Sequence, residues 1–338
     1  MGTEYNRLFF GEKVTCSSGT NYAVCSSVGG ESTWLRPASH RFTCQRASIV
    51  ITGSSSGDSP QVPFLSLLPF LLIAFGLAWG ILALFILLPD QMTSLFGELT
   101  GQHPLFFLAV YAPAIAAFIV VIYYGGAGGF RRYLARLFLW RCSPVWYAFL
   151  IIGIPLLFFG GSALKGNLFA EPFPFSSFQT LVVALLFMAF KGPVEEFGWR
   201  GLALPLLQRK FTPFWAGLIL GVIWGLWHFP AFLLSGTPQS AWSFTPFFVG
   251  SVAVSVIVTQ LFNASRGSIL LPALLHFQLI NPIWPDAQPY DTPFFVAAAL
   301  LVVWFNRKVM FNREWGATEV IPQTANNSLH RTTLTGRP

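Results

Sequence analysis

The chemistry open to this chain rests on a small set of ionisable side chains that stand apart from its loop charges: Glu195, Glu196, Arg200, His228 and His276. They occur in K-G-P-V-E-E-F-G-W-R-G, in W-G-L-W-H-F-P and in L-P-A-L-L-H-F-Q-L-I-N-P. Adjacent residues sit about 100° apart around a helix, so the two glutamates cannot point the same way. Glu196 and Arg200 are spaced i,i+4, which pairs carboxylate with guanidinium. Glu195 has no local partner, and a lone carboxylate in an apolar setting is suited to proton transfer. Taken alone, the same motif also fits an ordinary anchor at a membrane interface.

Arg209 to Pro213 reads as a turn between two antiparallel helices, with Phe211 at its midpoint. Glu195 lies 16 residues before Phe211 and His228 lies 17 after it, a mismatch of ~1.5 Å in depth. The two side chains are therefore level, although a lone membrane His is more often a helix–helix hydrogen-bonding residue. His276 follows Ser265, the middle of the next turn, by 11 residues, or ~17 Å of helix. That depth lies within the membrane and is expected to be reached from the cytosol. Asn281 comes at i+5 from His276, directly before Pro282, where helical geometry is disfavoured. Its side chain either bends back towards His276 or caps the helix end.

The elements that position these residues must be membrane helices. The chain has 338 residues, 54% hydrophobic, 17% aromatic and 10% charged, against about 25% charged in soluble domains. Too little charge is present to clothe a globular surface, and 36 Phe and 12 Trp exclude disorder for the bulk of the chain. The net charge of +7 marks cytosolic loops in such a chain rather than a nucleic-acid partner. Cys16, Cys25, Cys44 and Cys142 have no zinc-site spacing and read as unpaired thiols. Apolar runs over 64–88, 104–124, 145–163, 178–194, 212–234, 244–262, 267–283 and 292–307 predict an all-α polytopic membrane protein of about eight spans. The fourth and seventh are marginal in length, and continuous apolarity excludes a barrel.

Loop charges predict the orientation. Arg131, Arg132, Arg136, Arg141, Arg209, Lys210, Arg266, Arg307 and Lys308 fall on one side, and Asp90, Glu98, Glu171, Asp286 and Asp291 with Lys165 on the other. Positive loops stay in the cytosol, so both termini are expected inside, in the plasma membrane. The stretch Arg131–Arg141 is expected along the membrane surface. Polar residues 1–62, without a signal peptide, read as a flexible extension; 63–312 is the helical domain and 313–338 a flexible tail.

The three motifs resemble those of the CPBP intramembrane proteases, the CAAX-protease and bacteriocin-processing (Abi) group. Its pattern runs E-E-x-x-x-R, F-x-x-x-H, then H-x-x-x-N or D. The first motif matches at Glu195, Glu196 and Arg200. The second matches at His228, with Trp224 where Phe is usual. The third matches at His276, but Ile280 holds the i+4 position and Asn281 comes one residue late. The resemblance covers roughly 178–283 and implies an active site between core helices that hydrolyses peptide bonds of membrane-associated or prenylated substrates. It implies that Glu195 and His228 activate water, that His276 and Asn281 stabilise the oxyanion, and that Arg200 holds Glu196. No cofactor is expected. Zinc is the alternative, since two His and a carboxylate form a catalytic set, but H-E-x-x-H is absent.

Two other classes compete. A non-catalytic scaffold or immunity-type protein would keep the fold, and the late Asn281 favours it. A proton-coupled transporter would need matching broken helices in both halves, which the sequence lacks.

Overall fold

The computed structural model describes residues 61–168 and 175–323, together with the backbone of four strands near the N-terminus. These are β1 (Tyr5–Phe9), β2 (Glu12–Ser18), β3 (Tyr22–Ser27) and β4 (Thr33–Pro37), paired as an antiparallel meander in which Cys16 stands opposite Cys25. Their β-branched and aromatic residues suit strands. The sequence suggests a flexible extension over 1–62; four of its segments are paired strands, and its other residues up to 60 lie outside the described residues.

From residue 61 onward, every regular element among the described residues is helical. The helices are α1 (Leu67–Leu87), α2 (Pro89–Phe96), α3 (Pro104–Leu134), α4 (Pro144–Ala148), α5 (Ile154–Lys165) and α6 (Phe178–Lys191). There follow α7 (Glu195–Gly198), α8 (Leu204–Gln208), α9 (Pro213–Trp227), α10 (Phe244–Ala264), α11 (Leu270–Leu279) and α12 (Thr292–Met310). Single π turns at Phe149–Gly153 and Trp199–Ala203 join α4 to α5 and α7 to α8.

Six helical stretches are long and apolar enough to cross a bilayer: Phe64–Leu87, Pro104–Phe138, Pro144–Lys165, Pro213–Leu233, Phe244–Ala264 and Thr292–Met310. From residue 61 onward the chain is an all-α polytopic membrane protein. Its two marginal spans account for the difference from eight. The fourth is cut at Gly192–Val194, because Pro193 has no N–H to continue α6. The seventh, α11, has 10 residues and stops before Pro282.

Close packing fixes the depth of the second motif. Gly217, Gly221 and Gly225 form a stripe on α9, and a Cβ on each would come within 2.6, 2.8 and 2.7 Å of α10 atoms. Such stripes let membrane helices approach closely. α3 is broken at Gly126, whose φ of 58° is open to glycine. Beyond the break the chain turns inward, so Arg136 is fully buried rather than lying on the membrane surface.

The expected flexible tail also needs correction over its first part. Arg132 Nε donates to Pro322 O, Arg136 Nη1 to Val320 O and Arg209 Nε to Thr318 O, each at 3.0 Å. Gln208 Nε2 donates to Ala317 O, and Val320 is buried. Residues 313–323 are thus strapped back over the ends of α3 and α8, while 324–338 lie outside the described residues.

Candidate active site

The first motif begins where α6 ends. The Gly192–Val194 turn redirects the chain, and α7 then carries Glu195 and Glu196, both buried. One turn later Arg200 sits in the π turn, where its Nη1 donates to Glu196 Oε1 at 3.1 Å. This is the i,i+4 pair expected from the spacing. A buried ion pair needs further hydrogen bonds to be tolerated, and a second partner is supplied from 80 residues away. His276 Nδ1 on α11 lies 2.7 Å from the same Oε1. Since the carboxylate accepts, Nδ1 carries the proton and Nε2 is left over.

Glu195 is not bare. Trp224 on α9 donates its indole N–H to Glu195 Oε2 at 2.9 Å, and its ring lies 4.6 Å from the Arg200 guanidinium carbon. Four residues on, His228 Nδ1 donates to the Trp224 carbonyl at 2.8 Å. A carbonyl can only accept, so His228 also keeps Nε2 free, as an acceptor in the neutral ring. Trp224 stands edge-on to both imidazoles, with centroids 5.3 Å from His228 and 5.6 Å from His276. Glu195, Trp224, His228 and His276 line one cavity of about 380 Å³, and Asn281 lies on its wall.

Residues 176–280, from just before α6 to the end of α11, match the family model of the Rce1-like type II CAAX prenyl endopeptidases. This stretch is similar to the CAAX-protease family. "CAAX prenyl protease 2" of Methanococcus maripaludis is 31% identical over 176 residues, covering 48% of this chain and 62% of the relative. The match thus spans less than two thirds of that relative's length.

The CAAX-protease match contains Glu195, Glu196, Arg200, His228 and His276 and stops one residue before Asn281. The structure brings the first five together through Trp224 and Glu196. α11 ends at Leu279, so Asn281 lies past the helix, as Pro282 suggested. Its Nδ2 donates to Gln278 Oε1 at 2.9 Å and its Oδ1 accepts from the Ile283 amide at 3.1 Å. Its amide is thus engaged within its own turn, and the residue lies on the cavity wall.

Three residues around the candidate site were missed in the sequence. Gly192 is one: a Cβ there would fall 2.7 Å from His276 Nε2, so only glycine leaves that nitrogen uncovered. Tyr133 and Arg136 on and after α3 are the others. Tyr133 Oη donates to the Phe197 carbonyl, and Arg136 Nη1 donates to the Gly201 carbonyl at 2.6 Å. The ordinary helical donor to Gly201 would be the amide of residue 205, which is a proline. That offset of four from glycine to proline was the available signal.

Two features bear on metal and access. Both imidazoles commit Nδ1 to hydrogen bonds, and Glu196 Oε1 is shared by Arg200 and His276. Nε2 of each ring and one Glu195 oxygen stay uncommitted, and among the described residues no three His, Cys, Asp or Glu side chains gather as a metal site. The cavity rim is built from residues such as Gln239, Trp242 and Asp286. They lie at the end of the bundle away from the Arg209 turn.

Proposed function

We propose that this chain is an intramembrane endopeptidase that hydrolyses a peptide bond of a membrane-associated substrate with an activated water. The observation that carries the reading is the shared cavity, in which Glu195 and the free Nε2 of His228 and His276 belong to one wall system organised by Trp224. The CAAX-protease match over the same residues supports it.

In this reading Glu195 takes a proton from water as its oxygen bonds to the scissile carbonyl carbon. His228 orients that water through Nε2. The carbonyl oxygen becomes an oxyanion, which His276, donating through Nε2 as an imidazolium, and the Asn281 amide stabilise. Collapse of the intermediate breaks the C–N bond, and Glu195 returns its proton to the leaving amine. Glu196 accepts from His276 Nδ1 and so holds the ring, while Arg200 fixes Glu196. Water activation by Glu and His needs no metal here. Both termini are assigned to the cytosol and the protein to the plasma membrane, on the loop charges.

The test is comparative mass spectrometry of membrane peptides from cells carrying the parent or Glu195→Gln. Peptides with new termini that depend on the parent support the reading. Identical peptide sets, with both proteins folded and present in equal amount, would remove it.

A further inference from the structure

A guanidinium buried in a protein is tolerated only with hydrogen-bond partners to replace water. Arg136 stands in the short turn Ala135–Phe138 that follows α3, and only 2% of it is exposed. Its acceptors are main-chain carbonyls from three segments far apart in the chain. Nε donates to Gly267 O at 2.8 Å, and Nη1 donates to Gly201 O at 2.6 Å and to Val320 O at 3.0 Å. The rings of Tyr133 and Phe262 flank the group, with centroids 5.7 and 5.3 Å from its carbon. A surface anchor would keep its charge in water; this one is committed to the backbone.

Two of these contacts reach the segments that carry the site. Gly201 directly follows Arg200 in the π turn, so a hook on its carbonyl holds the turn that bears Glu195, Glu196 and Arg200. Tyr133, three residues before Arg136, holds the same stretch by donating to Phe197 O. Gly267 lies between α10 and α11, and Arg136 grips that connection with its backbone as well. The Arg136 carbonyl accepts from the Ile269 amide at 3.2 Å, and Ile269 is buried directly before α11. His276 lies seven residues along from Ile269, or about 10 Å of helix. The two arms meet where His276 Nδ1 lies 2.7 Å from Glu196 Oε1. Such a bond is lost beyond about 3.5 Å, so the register of α11 against α7 has little slack.

We propose that Arg136 is a positioning residue of the candidate active site, setting the register between the turn that bears Glu195, Glu196 and Arg200 and the helix that bears His276. Val320 O is its third acceptor, which makes the strap part of the same support. Lysine does not reproduce the arrangement, because its ammonium is a point charge where arginine offers a planar fork of donors. The effect on catalysis rests on the peptidase reading above; the effect on the bond between His276 and Glu196 does not.

The full chain is purified in detergent as the parent, Arg136→Lys, Arg136→Met and His276→Gln. Proton NMR detects the His276 Nδ1–H held by a carboxylate as a low-field resonance, assigned by its loss in His276→Gln. That resonance should shift upfield in folded Arg136→Lys and vanish in folded Arg136→Met. Kinetics are measured on a peptide whose cleavage depends on the parent. There kcat should fall roughly tenfold in Arg136→Lys and roughly 10²-fold in Arg136→Met with KM unchanged, as a misplacement of about 1 Å does. A parent-like resonance in both folded variants overturns the proposal, and so does a parent-like kcat or a change confined to KM. Failure of both variants to fold overturns it too, because Arg136 would then support the whole fold, and so does a parent spectrum without the resonance. A parent that cleaves no peptide removes the peptidase reading, while the resonance still decides the register.

Discussion

Trp224 donates its indole N–H to Glu195 Oε2 at 2.9 Å and thereby ties the second motif to the first. The bond occupies one carboxylate oxygen and leaves the other for water. Glu195→Gln should lower turnover by roughly 10²–10⁴-fold, the usual share of a general base, with folded yield unchanged. Trp224→Phe keeps an aromatic face beside both imidazoles and removes only a charge-assisted hydrogen bond. Because that bond is made alike in the ground state and the transition state, turnover should change by no more than about tenfold. Cleavage kinetics on purified protein separate the two, and equal losses would refute the assignment of the base to Glu195.

Gly192 leaves His276 Nε2 uncovered, because a Cβ there would lie 2.7 Å from that nitrogen and 2.6 Å from Ile280 Cδ1. Gly192→Ala should displace the imidazole and cut kcat by roughly 10²–10³-fold, as loss of an oxyanion donor does. Thermal unfolding should show a much smaller effect, since the Ile280 side chain can shift. Unchanged kcat would mean that Nε2 takes no part in the reaction.

Local chemistry was legible in the sequence and long-range contact was not. The i,i+4 pair of Glu196 with Arg200 and the equal depth of Glu195 and His228 follow from helix geometry and one turn. The bond from His276 to Glu196 crosses 80 residues, and no periodicity encodes which of two adjacent glutamates a distant imidazole meets. The docking of 313–323 was hidden for a different reason. It is held through its own main-chain carbonyls, which every residue has, so polar composition reads as a loose tail. Two of the spans fell short because proline interrupts an apolar run without lowering its hydropathy.

Glu196 Oε1 is shared by Arg200 and His276, so removing either partner has a distinct outcome. Arg200→Ala strands a buried carboxylate and should destabilise the fold by ~3–5 kcal/mol. His276→Ala keeps the ion pair and should retain more folded protein while losing activity. Yield and unfolding temperature in detergent, measured beside cleavage, check the ranking; a His276→Ala protein less stable than Arg200→Ala would reverse it.

Asp291, at the start of α12 and outside its span, is buried, and burial pushes its carboxyl up to about 6. A carboxyl raised on folding contributes stability that is fully present below its ordinary value of 3.8 and is lost as pH rises through about 6. Asp291→Asn removes that loss. The parent should therefore become less stable relative to the variant between about pH 4 and about pH 6, by at most about 3 kcal/mol, and the difference should then level off. Unfolding temperatures of both proteins across this range provide the check. A difference that does not vary with pH would show that this carboxyl is not the titrating group.

Asn281 lies beyond the end of α11 on the cavity wall, with Oδ1 and Nδ2 already engaged in its own turn. One amide hydrogen remains for an oxyanion. Asn281→Ala should lower kcat by roughly 10²–10³-fold with little change in KM, because the contact forms in the transition state. A silent substitution in an active enzyme would leave His276 as the sole donor identified.

The strap over residues 316–322 also bears on when the molecule becomes competent during its synthesis. Arg136 fills the Gly201 carbonyl beside the catalytic turn and reaches Val320 with the same nitrogen. Until the ribosome has passed residue 320, that guanidinium lacks one acceptor and its site stays open to water. The nascent chain therefore carries its glutamates and histidines through insertion before the turn that aligns them is secured.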